Sequence, residues 1–237
     1  MRRVQSNNPI LEVKGLWAGY GKLVVVRDLS LSLERGTTTL ILGLNGAGKT
    51  TTLKTIAGIL PAIKGSVTFE GKDVTHTPSF QRARMGLVMI TDNPVFPDMT
   101  VSDNIKLAAR TGDSRVVQEA VKYFPELSKF LSFRAASLSG GQRKMLAMAM
   151  AMVSKPKVLL LDEPSTGLSP LMVSKVVGYV KLLKSLGITI LLAEQNPSFI
   201  SVADYVMVME MGRAKIFGRA EEVGKLEDVR KTFFQVT

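Results

Sequence analysis

β-Branched and apolar residues gather into short unbroken runs at positions 37–42, 87–90, 158–161 and 188–192. Runs of β-branched and aliphatic residues without polar alternation read as strands buried on both faces, the habit of a parallel sheet. The stretch Leu29-Ser30-Leu31-Ser32-Leu33 alternates cleanly and predicts a strand with one buried face. Residues 23–26, and the pattern begun by Ile10, Val13, Leu16 and Trp17, predict two more strands beside it, with Gly19, Gly21 and Gly36 as punctuation. Tyr20 falls in a turn between two of these strands. Residues 66–69 predict a strand with 71–73 as its turn, and residues 206–209 and 214–217 predict a pair around Gly212.

Helical spacing fills the gaps. Leu53, Ile56 and Ala57 lie on one helical face, with Gly58 as the stop signal. From about 100 to 153 the chain reads as helical. Thr100 or Ser102 caps a helix carrying Val101, Ile105, Leu107 and Ala108; shorter apolar patterns follow at 116–124 and 127–133; a strongly apolar helix then runs to Val153. Residues 171–186 predict another helix with lysines on its outer face, and the chain from Arg219 on predicts a helical, partly charged cap. Strands alternating with helices make the fold α/β. The expected architecture is a mostly parallel core sheet, an antiparallel β part near the N-terminus, and a helical insertion between two buried strands. No internal repeat and no low-complexity linker interrupts the 237 residues.

Composition narrows the classes. A chain of this length buries a sizeable core without staples, and with no Cys it has neither disulfides nor thiolate metal sites. The first residues carry no apolar segment that would read as a signal peptide, and no apolar run approaches a membrane span. The chain is expected to be soluble, or peripheral to a membrane through a partner. The net charge of +11 raises nucleic acid or an anionic surface as partners. There is no long basic run with interleaved aromatics, so no nucleic-acid partner is expected; phosphate-rich ligands also suit a positive field. The one histidine, His76, sits in a polar loop without the Cys or carboxylate neighbours a metal site needs.

The chemistry concentrates in two places. Gly43-Leu44-Asn45-Gly46-Ala47-Gly48-Lys49-Thr50-Thr51 fits the phosphate-binding P-loop, with a buried strand before it and a helix after it. The glycines let the backbone turn several N–H groups inward, and the helix N-terminus adds partial positive charge. Lys49 would reach the β- and γ-phosphates, and the Thr50 hydroxyl would hold Mg²⁺. The second place is Asp162-Glu163, two carboxylates at the end of the 158–161 run. Ligands of open α/β sheets bind beyond the carboxyl ends of strands. One carboxylate there can hold Mg²⁺ while the other takes a proton from attacking water. Tyr20 reads either as a core plug or as a platform that stacks on a purine. Met145, Met148, Met150 and Met152 read as core filling.

Between the P-loop and Asp162-Glu163 stands Leu138-Ser139-Gly140-Gly141-Gln142. With it the chain resembles the ATP-binding cassette (ABC) family from about Leu11 to Phe217. Phe96-Pro97-Asp98-Met99-Thr100-Val101, Gly167-Leu168-Ser169-Pro170 and Ala193-Glu194-Gln195-Asn196 look most like the ATP-binding subunits of branched-chain amino acid importers. The resemblance implies a P-loop NTPase fold, an ABC-type nucleotide-binding domain with an antiparallel β subdomain and a helical subdomain. It implies one such domain over 1–237, with 10–91 and 154–237 as core and β subdomain and 92–153 as the helical signature subdomain.

The same resemblance implies ATP and Mg²⁺ as cofactors and Glu163 as the general base. Tyr20 becomes the adenine platform. Gly43, Asn45, Gly46, Ala47, Gly48, Lys49, Thr50 and Thr51 hold the phosphates, and Thr50 and Asp162 the metal. Ser139 can cap a helix, and Gly140 and Gly141 bare their N–H groups, a second anion site. Since the P-loop already cradles the phosphates, Ser139, Gly140, Gly141 and Gln142 are expected to act on nucleotide held by a second subunit, and residues 165–170 to cross the dimer interface. Expected partners are a second ATP-binding subunit (the same chain or a sister), transmembrane permease subunits and, indirectly, a substrate-binding protein, on the cytoplasmic side of the cell membrane. Thr91 stands where the family usually has a metal-contacting Gln, with Asp92 beside it as a substitute. Gln195 stands where it usually has a switch His. The rival readings are another transporter's ATPase, a weakly hydrolysing partner cassette, and a soluble non-transport ABC ATPase.

Overall fold

The computed structural model of the chain describes residues 9–91 and 95–234. In chain order, β1 (Leu11–Tyr20), β2 (Leu23–Leu33) and β3 (Thr38–Leu42) lead into α1 (Lys49–Ile56). Then come β4 (Ala62–Phe69), β5 (Lys72–Asp73), α2 (Ser79–Met85) and β6 (Leu87–Ile90). The helical insertion holds α3 (Val101–Ala108), α4 (Arg115–Tyr123) and α5 (Gly140–Val153). The chain then returns through β7 (Val158–Asp162), α6 (Pro170–Ser185), β8 (Thr189–Glu194), β9 (Tyr205–Glu210) and β10 (Arg213–Arg219) to α7 (Ala220–Val223) and α8 (Glu227–Phe234).

Two sheets result. One has four strands in the order β2-β1-β4-β5 and is antiparallel; the other has six in the order β10-β9-β3-β8-β7-β6. In the second, β9, β3, β8, β7 and β6 run parallel and β10 is an antiparallel edge. The apolar runs explain this sheet: every residue of β3 and β8 is buried. Successive side chains of a strand point to opposite faces, so each run feeds two cores. Leu40, Leu42, Leu159, Leu161, Ile190 and Leu192 pack against the helices α3 to α6. Ile41, Val158, Leu160, Leu191 and Ala193 pack against α1 and the antiparallel sheet. Met145, Met148 and Met152 fill the first core, as read.

The structure corrects several readings. Residues 23–26 and 29–33 form one strand, β2, bent at Asp28, whose φ is +53°. Lys72 and Asp73 are not a turn but the short strand β5, paired with Phe69 and Thr68. Tyr20 is the last residue of β1, opposite Leu23, so the turn is Gly21-Lys22. The region 127–133 holds a 3₁₀ segment, Pro125–Phe130, rather than a helix. Helix α2 went unread. It forms around Arg82, a residue 2% exposed whose guanidinium donates to the carbonyls of Thr55, Ile56, Thr75 and Thr77. Burial pushes that guanidinium down to about 10, so it keeps its charge at neutral pH. Among the described residues no helix is long and apolar enough to cross a membrane.

Candidate functional site

The carboxyl ends of β3, β8, β7 and β6 lie side by side: Leu42 is level with Glu194, Ala193 with Asp162, and Leu161 with Ile90. The segments that leave β3 and β7 meet at one place. From β3 comes the P-loop. Its first glycine is pinned by Gly43 N–H donating to the Glu194 carbonyl at 3.2 Å, and the loop closes with Ala47 N–H on the Leu44 carbonyl at 3.1 Å. Helix α1 starts at Lys49 because Gly48, at φ +101°, turns the chain into it. The left-handed φ is what favours glycine there. The free N–H groups of the first turn of α1 then face the loop's concavity. Asn45 and Gly46 are exposed, whereas Gly43, Ala47, Gly48 and Thr51 are buried.

Lys49 is 3% exposed, an unusual place for an ammonium group. Its Nζ donates to the Gly43 carbonyl at 2.8 Å and the Leu44 carbonyl at 3.2 Å, and pairs with Glu163 Oε1 at 2.9 Å. The Thr50 hydroxyl donates to Asp162 Oδ1 at 2.9 Å. A hydroxyl and a carboxylate this close form a hard-oxygen pair of the kind Mg²⁺ takes, the rest of its shell being water and phosphate. The donor set therefore fits that ion. Glu163 has φ +43°, in the left-handed region that costs a side-chain-bearing residue energy. It is held there by its N–H on the Ala193 carbonyl at 2.9 Å, by Thr166 N–H on its own carbonyl at 3.2 Å, and by the Thr166 hydroxyl on Oε2 at 3.2 Å.

The remaining sequence candidates fall as follows. Gln195 is exposed and follows directly on β8; Thr91 follows β6, next to the Asp162 strand. Asp92 lies outside the described residues. Tyr20 is 47% exposed at the tip of the antiparallel sheet, which rules out the core-plug reading. Ser139, Gly140, Gly141 and Gln142 stand apart, at the N-terminus of α5. There Ser139 and Gln142 form a reciprocal capping box, Ser139 N–H to Gln142 Oε1 at 2.8 Å and Gln142 N–H to Ser139 Oγ at 3.3 Å. The N–H groups of Gly140 and Gly141 at the same helix start are those an external anion would meet. A Cβ on Gly141 would lie 2.3 Å from Met172 Cε, so this segment packs on α6.

One residue of the site was missed. Glu194, 2% exposed, sits on β8 between the P-loop strand and the Asp162 strand. The signal was available: an acid ending an apolar run, as Asp162 does.

A family model described as ABC transporter matches residues 26–166. The chain is 37% identical over 230 residues to a probable branched-chain amino acid transport ATP-binding protein LivF of Archaeoglobus fulgidus, covering 94% of this chain and 97% of that protein. It is 35% identical over 200 residues to the high-affinity branched-chain amino acid transport ATP-binding protein BraG of Pseudomonas aeruginosa, covering 82% and 86%. Among solved structures it is similar to an ATP-binding cassette of an ABC transporter in its ADP conformation, with TM-score 0.81 and 28% identity over 96% of this chain and 99% of that one.

Proposed function

The chain belongs to the ABC transporter family, and on that premise we propose that it is the ATP-binding subunit of an importer of branched-chain or related hydrophobic amino acids. It pairs with a second ATP-binding subunit, docks on permease subunits at the cytoplasmic face of the membrane, and hydrolyses ATP with Mg²⁺. The amino-acid cargo rests on the relatives' names, since an ATPase subunit does not touch the cargo.

The observation that carries the chemistry is the pairing of Lys49 with Glu163 at 2.9 Å beside the pairing of Thr50 with Asp162 at 2.9 Å. These contacts put a cation for the phosphates, a carboxylate base and a hard-oxygen metal pair within one small volume. The Lys49 ammonium is shared between two P-loop carbonyls and Glu163. A γ-phosphate arriving at the loop competes for that ammonium. Glu163 is then free to accept a proton from the water that attacks the phosphorus in line. Thr50 and Asp162 would hold Mg²⁺, which when bound neutralises charge on the β- and γ-phosphate oxygens. Tyr20, exposed at the end of β1, offers a face to adenine. Gln195 donates a hydrogen bond to the γ-phosphate but carries no proton near neutral pH. The N–H groups of Gly140 and Gly141, with the Ser139 hydroxyl, close on the nucleotide of the partner subunit and complete the electrostatic cage.

The test uses Glu163→Gln, which keeps the shape and removes the base. We expect turnover to fall about 10²-fold or more while ATP binding persists, and Mg·ATP to double the sedimenting mass of the variant. Wild-type turnover should vanish with a chelator. A variant that turns over like the wild type would remove Glu163 from its role. Wild type that binds ATP without turnover would make the chain a non-hydrolysing partner cassette.

A further inference from the structure

Glu194 is the buried acid that the chemistry above does not use. Among the described residues no lysine, arginine or histidine pairs with it. Its carboxylate is instead satisfied by backbone. Oε1 accepts the Ser165 N–H at 2.8 Å, and Oε2 accepts the N–H groups of Gln195 at 3.0 Å and Asn196 at 3.2 Å. Its own carbonyl accepts the Gly43 N–H. One residue thus touches the segments that follow β3, β7 and β8. A buried charge is costly unless its hydrogen bonds are made, and an apolar residue here would leave three N–H groups to be satisfied some other way. The cheap choice for a central strand has been refused.

We infer that Glu194 is a positioning residue for hydrolysis, a clamp that fixes the strained turn bearing Glu163 against the loop bearing Gln195. The inference rests on the proposed function and deepens it. Glu163 sits at φ +43°, and such a conformation persists only where its surroundings over-determine it. The turn is pinned to the end of β8 at two points, Glu163 N–H on the Ala193 carbonyl and Ser165 N–H on the Glu194 carboxylate. The second point shares its side chain with the Gln195 and Asn196 N–H groups. The Glu163 carboxylate and the Gln195 backbone are therefore set by one rigid group. Only a carboxylate serves: it accepts on both oxygens. A glutamine of the same shape accepts on one and must aim its NH₂ at a backbone N–H on the other side.

The test is Glu194→Gln and Glu194→Asp in the full chain, with ATP affinity, turnover and Tm measured beside the wild type. Glu194→Gln should lower kcat about tenfold or more with ATP Kd changed less than about threefold. Glu194→Asp keeps both acceptor oxygens but is one methylene shorter, and should restore part of kcat. A merely structural role would instead move Tm, Kd and kcat together in both variants. Glu194→Gln with wild-type kcat overturns the inference, as does a kcat loss matched by loss of ATP binding. Should Glu194→Gln not fold, Glu194→Asp decides: reduced kcat at unchanged Kd supports the clamp, and wild-type kcat overturns it. An inactive wild type would sink the proposed function itself and this inference with it, a result distinct from active wild type with active variants.

Discussion

Gln195 occupies the place after β8 where an imidazole would titrate, and its amide does not. The one histidine, His76, is exposed in the loop between β5 and α2. Turnover at saturating Mg·ATP should therefore run flat through the imidazole range around pH 6.5. A steep acidic limb there in the wild type would contradict this; Gln195→His should introduce one. The residues of the P-loop, with Asp162 and Glu163, were legible because each is declared by its own neighbours: glycines at fixed spacing, or an apolar run stopped by acids. Glu194 carries the same local sign, an acid at the end of an apolar run, but its partners are tertiary. What it holds includes an N–H group 29 residues earlier in the chain, Ser165, and nothing local announces that. Tyr20 was half legible. The turn was visible, but whether the ring faced core or solvent depended on which sheet β1 joined.

Helix α2 marks where pattern reading failed for an element. Its sequence, Ser79-Phe80-Gln81-Arg82-Ala83-Arg84-Met85, has no apolar stripe, and only Arg82 is buried. The helix is held by a cation reaching into the carbonyl end of α1 rather than by hydrophobic spacing. A cation at a helix C-terminus also meets the negative end of the dipole. Arg82→Leu removes the donor and leaves Thr55, Ile56, Thr75 and Thr77 carbonyls short of partners. Unsatisfied buried acceptors cost about 1–3 kcal/mol each before relaxation. We expect a net loss of about 3 kcal/mol, or roughly 6–12 °C in Tm for a chain of this size. A change below about 2 °C in thermal melts would show that water replaces the guanidinium at little cost. The other misread elements have similar causes. Residues 23–26 and 29–33 read as two strands, but β2 passes through Asp28 with a bend and pairs with β1 on both sides of it, Val26 with Ala18 and Leu29 with Leu16.

At the scale of the molecule, the antiparallel part was expected near the N-terminus, and half of it is there. The other half, β4 and β5, returns after α1, so the sheet straddles the P-loop in sequence. No periodicity within one segment encodes which sheet a strand joins. Gly212, at φ +77°, ties the two sheets together. Its N–H donates to the Ala47 carbonyl of the P-loop at 3.0 Å, its carbonyl accepts the Arg27 N–H of β2 at 2.8 Å, and a Cβ would lie 1.8 Å from the Val25 carbonyl oxygen. The P-loop is thus braced by a turn far along the chain. A fragment ending at residue 188 carries the whole P-loop motif but lacks β8, β9 and this turn. We expect it to bind no ATP by equilibrium dialysis, and binding at the affinity of the full chain would contradict this.

The sheet order has a consequence for how the molecule is made. β1, β2 and β4 pair among themselves, so all three have been synthesised by residue 69. β3 lies between β8 and β9, and neither exists until synthesis has passed residue 189. Domains fold as their parts emerge, and long-range pairings come last. The strand that aims the P-loop therefore waits, unpaired, through most of translation. Its glycine loop takes shape only when the last quarter of the chain arrives, so a nascent chain cannot capture nucleotide before its own scaffold is closed.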